Sequence, residues 1–170
     1  MSTHLHLDAL ERARTAMAAT EASATTTVVQ RSEAPPSNAV AVLASFTGEH
    51  LVIFPLWSGV NRIGAKPPLS DYEPPPKRWL ESRQWLLFIH GAAAFVVDDR
   101  TTNQSCVIQP GVPRLESVVD RRFERCSTMP SELFGASGAT RLDWHGTVSA
   151  TLEDGTALFS AYAGFVFGWL

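Results

Sequence analysis

The apolar positions of this chain change their rhythm twice. Residues 4 to 19 place Leu5, Leu7, Leu10, Ala13 and Met17 among Glu11, Arg12 and Arg14, a weak helical period in good helix formers that predicts one short helix. From Thr20 to Asn38 the composition turns to Ala, Thr, Ser and Pro and ends in Pro35-Pro36, which predicts a flexible linker without a core of its own. Residues 1–38 are therefore expected to be an N-terminal helix and linker, and the compact domain to span 39–170, starting near Ala39.

Beyond Ala39 the pattern becomes short β-rich runs between turn formers. Val40 to Phe46 and Leu51 to Trp57 read as a hairpin around Thr47-Gly48-Glu49. Prolines 67, 68, 74, 75 and 76 make residues 65 to 79 a loop, because proline gives a ladder no donor. Trp85 to Ile89 and Ala93 to Val97 flank His90-Gly91, and Cys106 to Ile108 is a short candidate strand. Residues 109–139 break the rhythm and read as an insertion, with a candidate helix around Leu115 to Phe123. Strand character returns in Thr140 to Trp144, Thr147 to Leu152 and Ala157 to Trp169, with Glu153-Asp154-Gly155-Thr156 as a tight turn of Asp-Gly type. Such a series predicts an all-β, mainly antiparallel sandwich or barrel.

Size and charge narrow the function. At 170 residues the chain suits one domain plus a tail. A formal charge of -3 argues against a nucleic-acid surface, which needs clustered Lys and Arg. From Asn61 to Asn103 six basic residues face five acidic ones, so any anion site is local. Cys106 and Cys126 form neither a zinc pattern nor a disulfide framework and read as free thiols of a reducing compartment. The N-terminal stretch has no apolar signal-peptide core, and the 14-residue apolar run Ala157 to Leu170 is shorter than the roughly 20 residues a spanning helix needs. A cytoplasmic protein without membrane insertion is the expectation.

Three motifs then fall in a telling order: Arg62-Ile63-Gly64-Ala65, Ser82-Arg83-Gln84-Trp85, and Asp98-Asp99-Arg100-Thr101-Thr102-Asn103-Gln104-Ser105. They are separated by 17 residues from Ala65 to Ser82 and 21 from Ser82 to Asn103. This arrangement resembles the forkhead-associated (FHA) domain, a phosphothreonine-reading β-sandwich with an Ile-Gly-Arg strand end, a Ser-Arg-x-His loop and an Asp-x-x-Ser-x-Asn-Gly-Thr loop. Leu152-Glu153-Asp154-Gly155-Thr156 looks like the family's Leu-x-Asp-Gly-Asp hairpin.

The resemblance implies an FHA/SMAD-like sandwich that binds a threonine-phosphorylated peptide of a protein partner through Lys66, Ser82, Arg83, Thr101, Thr102 and Asn103. In the family the Arg after Ile-Gly, the Ser and the residue before Asn-Gly contact the phosphate, and the Asn holds the peptide backbone. Here Ala65 stands for that Arg, Trp85 for the bracing His and Gln104 for the Gly. One lost charge-assisted bond is worth about 1.5–3 kcal/mol, so weakened phosphate dependence is expected, with Lys66 the substitute cation. The alternative is a phospho-independent scaffolding subunit of a larger assembly.

Each site residue also has a plainer reading. Ser82, Thr101, Thr102 and Asn103 suit any tight turn, and Arg83 suits packing of its stem on the sandwich. Asp98 and Asp99 read as turn caps, and Trp57, Trp79, Trp144 and Trp169 as core or sheet-face residues. His90 and His145 stand apart from any nucleophile, so no catalytic residue, metal site or cofactor is expected.

Overall fold

The computed structural model describes residues 5–19, 25–31, 35–47, 50–65, 67–73, 83–101, 105–112, 116, 119–120, 138–143, 145–160 and 164–170. Helix α1 (Leu5–Ala18) leads into strands β1 (Thr26–Val28), β2 (Ala41–Thr47), β3 (His50–Leu56), β4 (Gly59–Ile63), β5 (Trp85–His90), β6 (Ala93–Asp98), β7 (Ser105–Ile108), β8 (Ala139–Leu142), β9 (Ser149–Thr151), β10 (Ala157–Phe159) and β11 (Gly164–Trp169). They form a seven-stranded sheet in the order β1-β3-β2-β11-β10-β7-β8 and a four-stranded sheet in the order β4-β5-β6-β9.

Alternation along the strands makes the two sheets a sandwich. In β5, Trp85, Leu87 and Ile89 are buried, while Leu86, Phe88 and His90 point the other way. The inner layer joins residues of both sheets, among them Leu43, Phe54, Leu158 and Phe165 from the larger and Ile63, Trp85, Leu87 and Val96 from the smaller. Trp85 meets Phe165 edge to face across the interface, with centroids 5.4 Å apart.

The hairpin expected from Val40 to Trp57 is present: β2 pairs antiparallel with β3 from Ala41↔Leu56 to Thr47↔His50. The run Ala157 to Trp169 is two strands, β10 and β11, paired antiparallel. Thirteen residues exceed the usual five or six of a strand, and the chain folds the excess back. Gly155 (φ 86°) makes the expected tight turn, but the turn joins β9 of the smaller sheet to β10 of the larger. It is a crossover between layers and not a hairpin.

The N-terminal segment departs most from expectation. Within the predicted flexible linker, β1 pairs parallel with β3, from Thr26↔Leu51 to Val28↔Ile53. Arg31 then bridges to Tyr72. Helix α1 lies on the outer face of the larger sheet, where Ala9, Leu10 and Ala13 bury against Val42, Ala44, Leu51, Ile53 and Val166. Composition alone concealed β1, since Thr-Thr-Val acquires its order from the ladder it joins.

The insertion also has structure where it is described. Glu116, Val119 and Asp120 are helical, within the span expected to hold a helix. Val119 packs on Cys106, Ile108, Ala157 and Phe159, and Asp120 Oδ1 lies 2.5 Å from His6 Nδ1. Burial pushes the free Cys106 thiol up to about 11. Trp57 is buried and Trp169 half-buried, while Trp79, Trp144 and Cys126 lie outside the described residues.

Candidate functional site

Strand register brings three loops to one end of the smaller sheet. Ile63 pairs with Trp85, and Trp85 with Asp98, so the end of β4, the start of β5 and the end of β6 stand abreast. Gln84 stitches them together. Its N–H donates to the Ile63 carbonyl at 2.9 Å, and its own carbonyl accepts the Asp99 N–H at 3.1 Å.

A buried polar network lies beneath these backbone bonds. Asp98 is 3% exposed; its Oδ1 accepts the Thr101 N–H at 2.8 Å, and its Oδ2 accepts the hydroxyls of Thr101 at 2.6 Å and Ser105 at 3.1 Å. Ser105 Oγ in turn accepts Gln84 Nε2 at 3.2 Å and Trp85 Nε1 at 3.1 Å. A hydroxyl has one proton and two lone pairs, and all three are used here. Ser105 opens β7 of the larger sheet whereas Trp85 and Asp98 belong to the smaller, so the network ties the layers together under the loops. Buried hydrogen-bond networks of this kind rigidify what they connect.

The excursion that follows β4 is also pinned. Arg62 donates its N–H to Asp71 Oδ2 at 2.8 Å and Nε–H to Oδ1 at 2.9 Å, while Asp71 returns its N–H to the Arg62 carbonyl at 2.9 Å. Tyr72 fills the core and donates its hydroxyl to the Pro55 carbonyl at 2.5 Å; burial holds that phenol well above its ordinary pKa. Arg31 lies 5.0 Å over the Trp57 ring and donates to Asn61 Oδ1 at 2.6 Å.

Of the residues singled out in the sequence, Thr101 is 5% exposed and its hydroxyl is turned inward onto Asp98. Arg83 is half-buried beside Gln84, and Ala65 half-buried after Gly64. Lys66, Ser82, Thr102, Asn103 and Gln104 lie outside the described residues. The expected turn cap is Asp98. Gln84, Ser105 and Arg100 were missed. Arg100 is exposed and holds φ 62°, a left-handed backbone uncommon outside glycine, on the loop that Asp99 anchors to Gln84.

The chain is similar in fold to forkhead-associated domains. One solved relative is the FhaA FHA domain complexed with the intracellular domain of Rv3910, at TM-score 0.46 and 14% identity over 75% of this chain and 98% of that one. Another is the Rv0020c FHA structure, at TM-score 0.46 and 13% identity over 83% of this chain and all of that one, 100%. No family profile matches the sequence, and no curated protein matches it.

Trp85, buried at the start of β5, donates its indole N–H to Ser105 across the layers. The position of the Ile-Gly arginine remains an alanine, Ala65. Among the described residues no group of three or more His, Cys, Asp or Glu could hold a metal ion, and no helix is long and apolar enough to cross a membrane. Away from the loop end, a groove of about 640 Å³ runs between α1 and β1, lined by Arg12, Thr15, Ala16, Thr26, Val28 and Leu51.

Proposed function

We propose that this chain is an FHA-type protein-interaction module that takes an extended peptide of a protein partner across the loop end. The reading rests on one observation: Gln84 and the Asp98–Ser105 network lock three loop roots into a fixed arrangement on a two-layer scaffold. Loops rooted on a rigid sandwich suit the presentation of donors to a partner. Arg100, held at φ 62°, is the kind of backbone outlier that surroundings maintain at binding loops.

The finer proposal is that the peptide carries phosphothreonine. Arg83 and Arg100 are the sequence neighbours of the backbone-bonded pair Gln84 and Asp99 on adjacent loops, and either is proposed to supply the charge missing at Ala65. Ser82, Thr102, Asn103 and Lys66 complete the proposed contact set, while Thr101 acts through Asp98 as a positioning residue. Phosphate dependence is then weaker than a full Ile-Gly-Arg site would give.

Binding of a degenerate phosphothreonine library and its unphosphorylated twin, at moderate salt, tests this. Phosphorylated peptides should bind more tightly, and Ser82→Ala, Asn103→Ala and Arg83→Ala should each weaken them about ten-fold, the effect of losing roughly 1.4 kcal/mol. Equal binding of both libraries would instead support the phospho-independent scaffold reading. Binding insensitive to all three substitutions would remove the loop end as the site.

A further inference from the structure

The outer face of the four-stranded sheet carries an apolar layer. Register sets Val60, Phe88, Phe95 and Thr151 abreast in one row, and Arg62, Leu86, Val97 and Ser149 in the next. Phe88 and Phe95 stack face to face, with centroids 4.8 Å apart and planes 12° from parallel. Val60 is 46% and Phe95 40% exposed, two of the few large apolar side chains in open solvent among the described residues. Neither stacked aromatic is needed for the inner core, which the opposite face of β5 and β6 supplies.

We infer that this face is the contact between two copies of the chain, packed sheet to sheet about a two-fold axis through the Phe88–Phe95 pair. Charge supports self-association. A two-fold contact sets a patch against itself, so a patch of one sign repels its twin. Here the cation in the rows, Arg62, is neutralised by Asp71 at 2.9 Å, and the remaining members are uncharged.

Area supports it as well. Four strands about 4.8 Å apart and roughly five residues long give a plate of about 300 Å², or about twice that as accessible side-chain surface. Two such faces bury on the order of 1,000–1,200 Å² together, near the lower bound of a specific interface. A reversible dimer is therefore expected.

Sedimentation velocity of the full chain from about 1 to 500 µM decides the matter, with the range chosen for a modest interface. The wild type should pass from monomer to dimer within it. Phe95→Glu should raise the dimer dissociation constant at least ten-fold, and an equimolar mixture of Phe95→Glu with Phe95→Lys should recover association. Val60→Ser, a milder change, should weaken the dimer with an unaltered melting curve at low concentration, which separates a lost interface from a lost fold. A wild type monomeric up to 500 µM overturns the inference, as does a dimer that none of these substitutions weakens.

Discussion

The two sheets of this sandwich present chemically similar outer faces that have met different fates. On the larger, Val42, Ala44, Ile53 and Val166 lie beneath the Ala9-Leu10-Ala13 stripe of α1. On the smaller, Val60, Phe88 and Phe95 are apolar yet no described helix lies on them, and two of the three are at least 40% exposed. An amphipathic face must bury its apolar side somewhere. The chain covers one face with its own N-terminal segment, so α1 is a third layer of the fold and not an appendage. On the inference drawn above, the other face is met by a second copy of the chain.

Leu10→Ala breaks that comparison most severely. Leu10 is 3% exposed in the helix–sheet layer, and truncating such a buried Leu costs about 2–5 kcal/mol; a fall in the urea midpoint should record it. Gly168→Ala comes next. A Cβ on Gly168 of β11 would overlap the Leu10 side chain at Cδ1, so that buried side chain must move against its neighbours, at a cost of about 1–3 kcal/mol. The pair Leu10→Ala with Gly168→Ala should cost less than the sum of the two, because the truncation opens the space the new methyl needs. Strict additivity in that cycle would mean that α1 does not rest on β11 as described.

These residues also mark what the sequence could disclose. Alternation in Trp85 to Ile89 and Ala93 to Val97 exposed β5 and β6 directly, because one buried and one outward face impose a period of two. It did not disclose β1. Three residues of Thr and Val have no period, and their strand exists through its pairing with Leu51 to Ile53. Arg31 was hidden for the same reason, as its partners Asn61, Trp57 and Tyr72 are far along the chain.

The loop end was half legible. Motif spacing marked Trp85 as a departure from the expected histidine, but not that its indole N–H bonds Ser105. Whether an aromatic donor reaches a hydroxyl depends on where β7 begins, and that is a tertiary fact. Ser105 and Gln84 look like ordinary polar loop residues until both prove 0% exposed and bonded to each other.

Asp98→Ala probes that network at intermediate cost. It leaves the Thr101 N–H and the Thr101 and Ser105 hydroxyls to find other partners, and unsatisfied buried groups cost about 1–3 kcal/mol each. A drop of roughly 2–4 kcal/mol, with faster amide exchange in the 99–101 loop, is expected. Normal exchange there would show that the loop holds its shape without the carboxylate.

The smallest effects should come from the uncovered face and from the Cys106 thiol. Val60→Ser removes apolar area already 46% in water, so its effect on monomer stability should stay within about 0.5 kcal/mol, against several for Leu10→Ala. At Cys106 the folded-state pKa, about 11, lies above the ordinary value of 9.0, because burial disfavours the thiolate. Its contribution is complete below pH 9.0 and is lost as pH rises toward 11, where the unfolded chain ionises and the folded one does not. In a Cys126→Ser background, the alkaline fall in stability between those values should be larger for the parent than for Cys106→Ala. Equal slopes would mean that the thiol is reached by water in the folded state, and that β7 and the helical residues around Val119 pack less tightly than α1 does on β2 and β11.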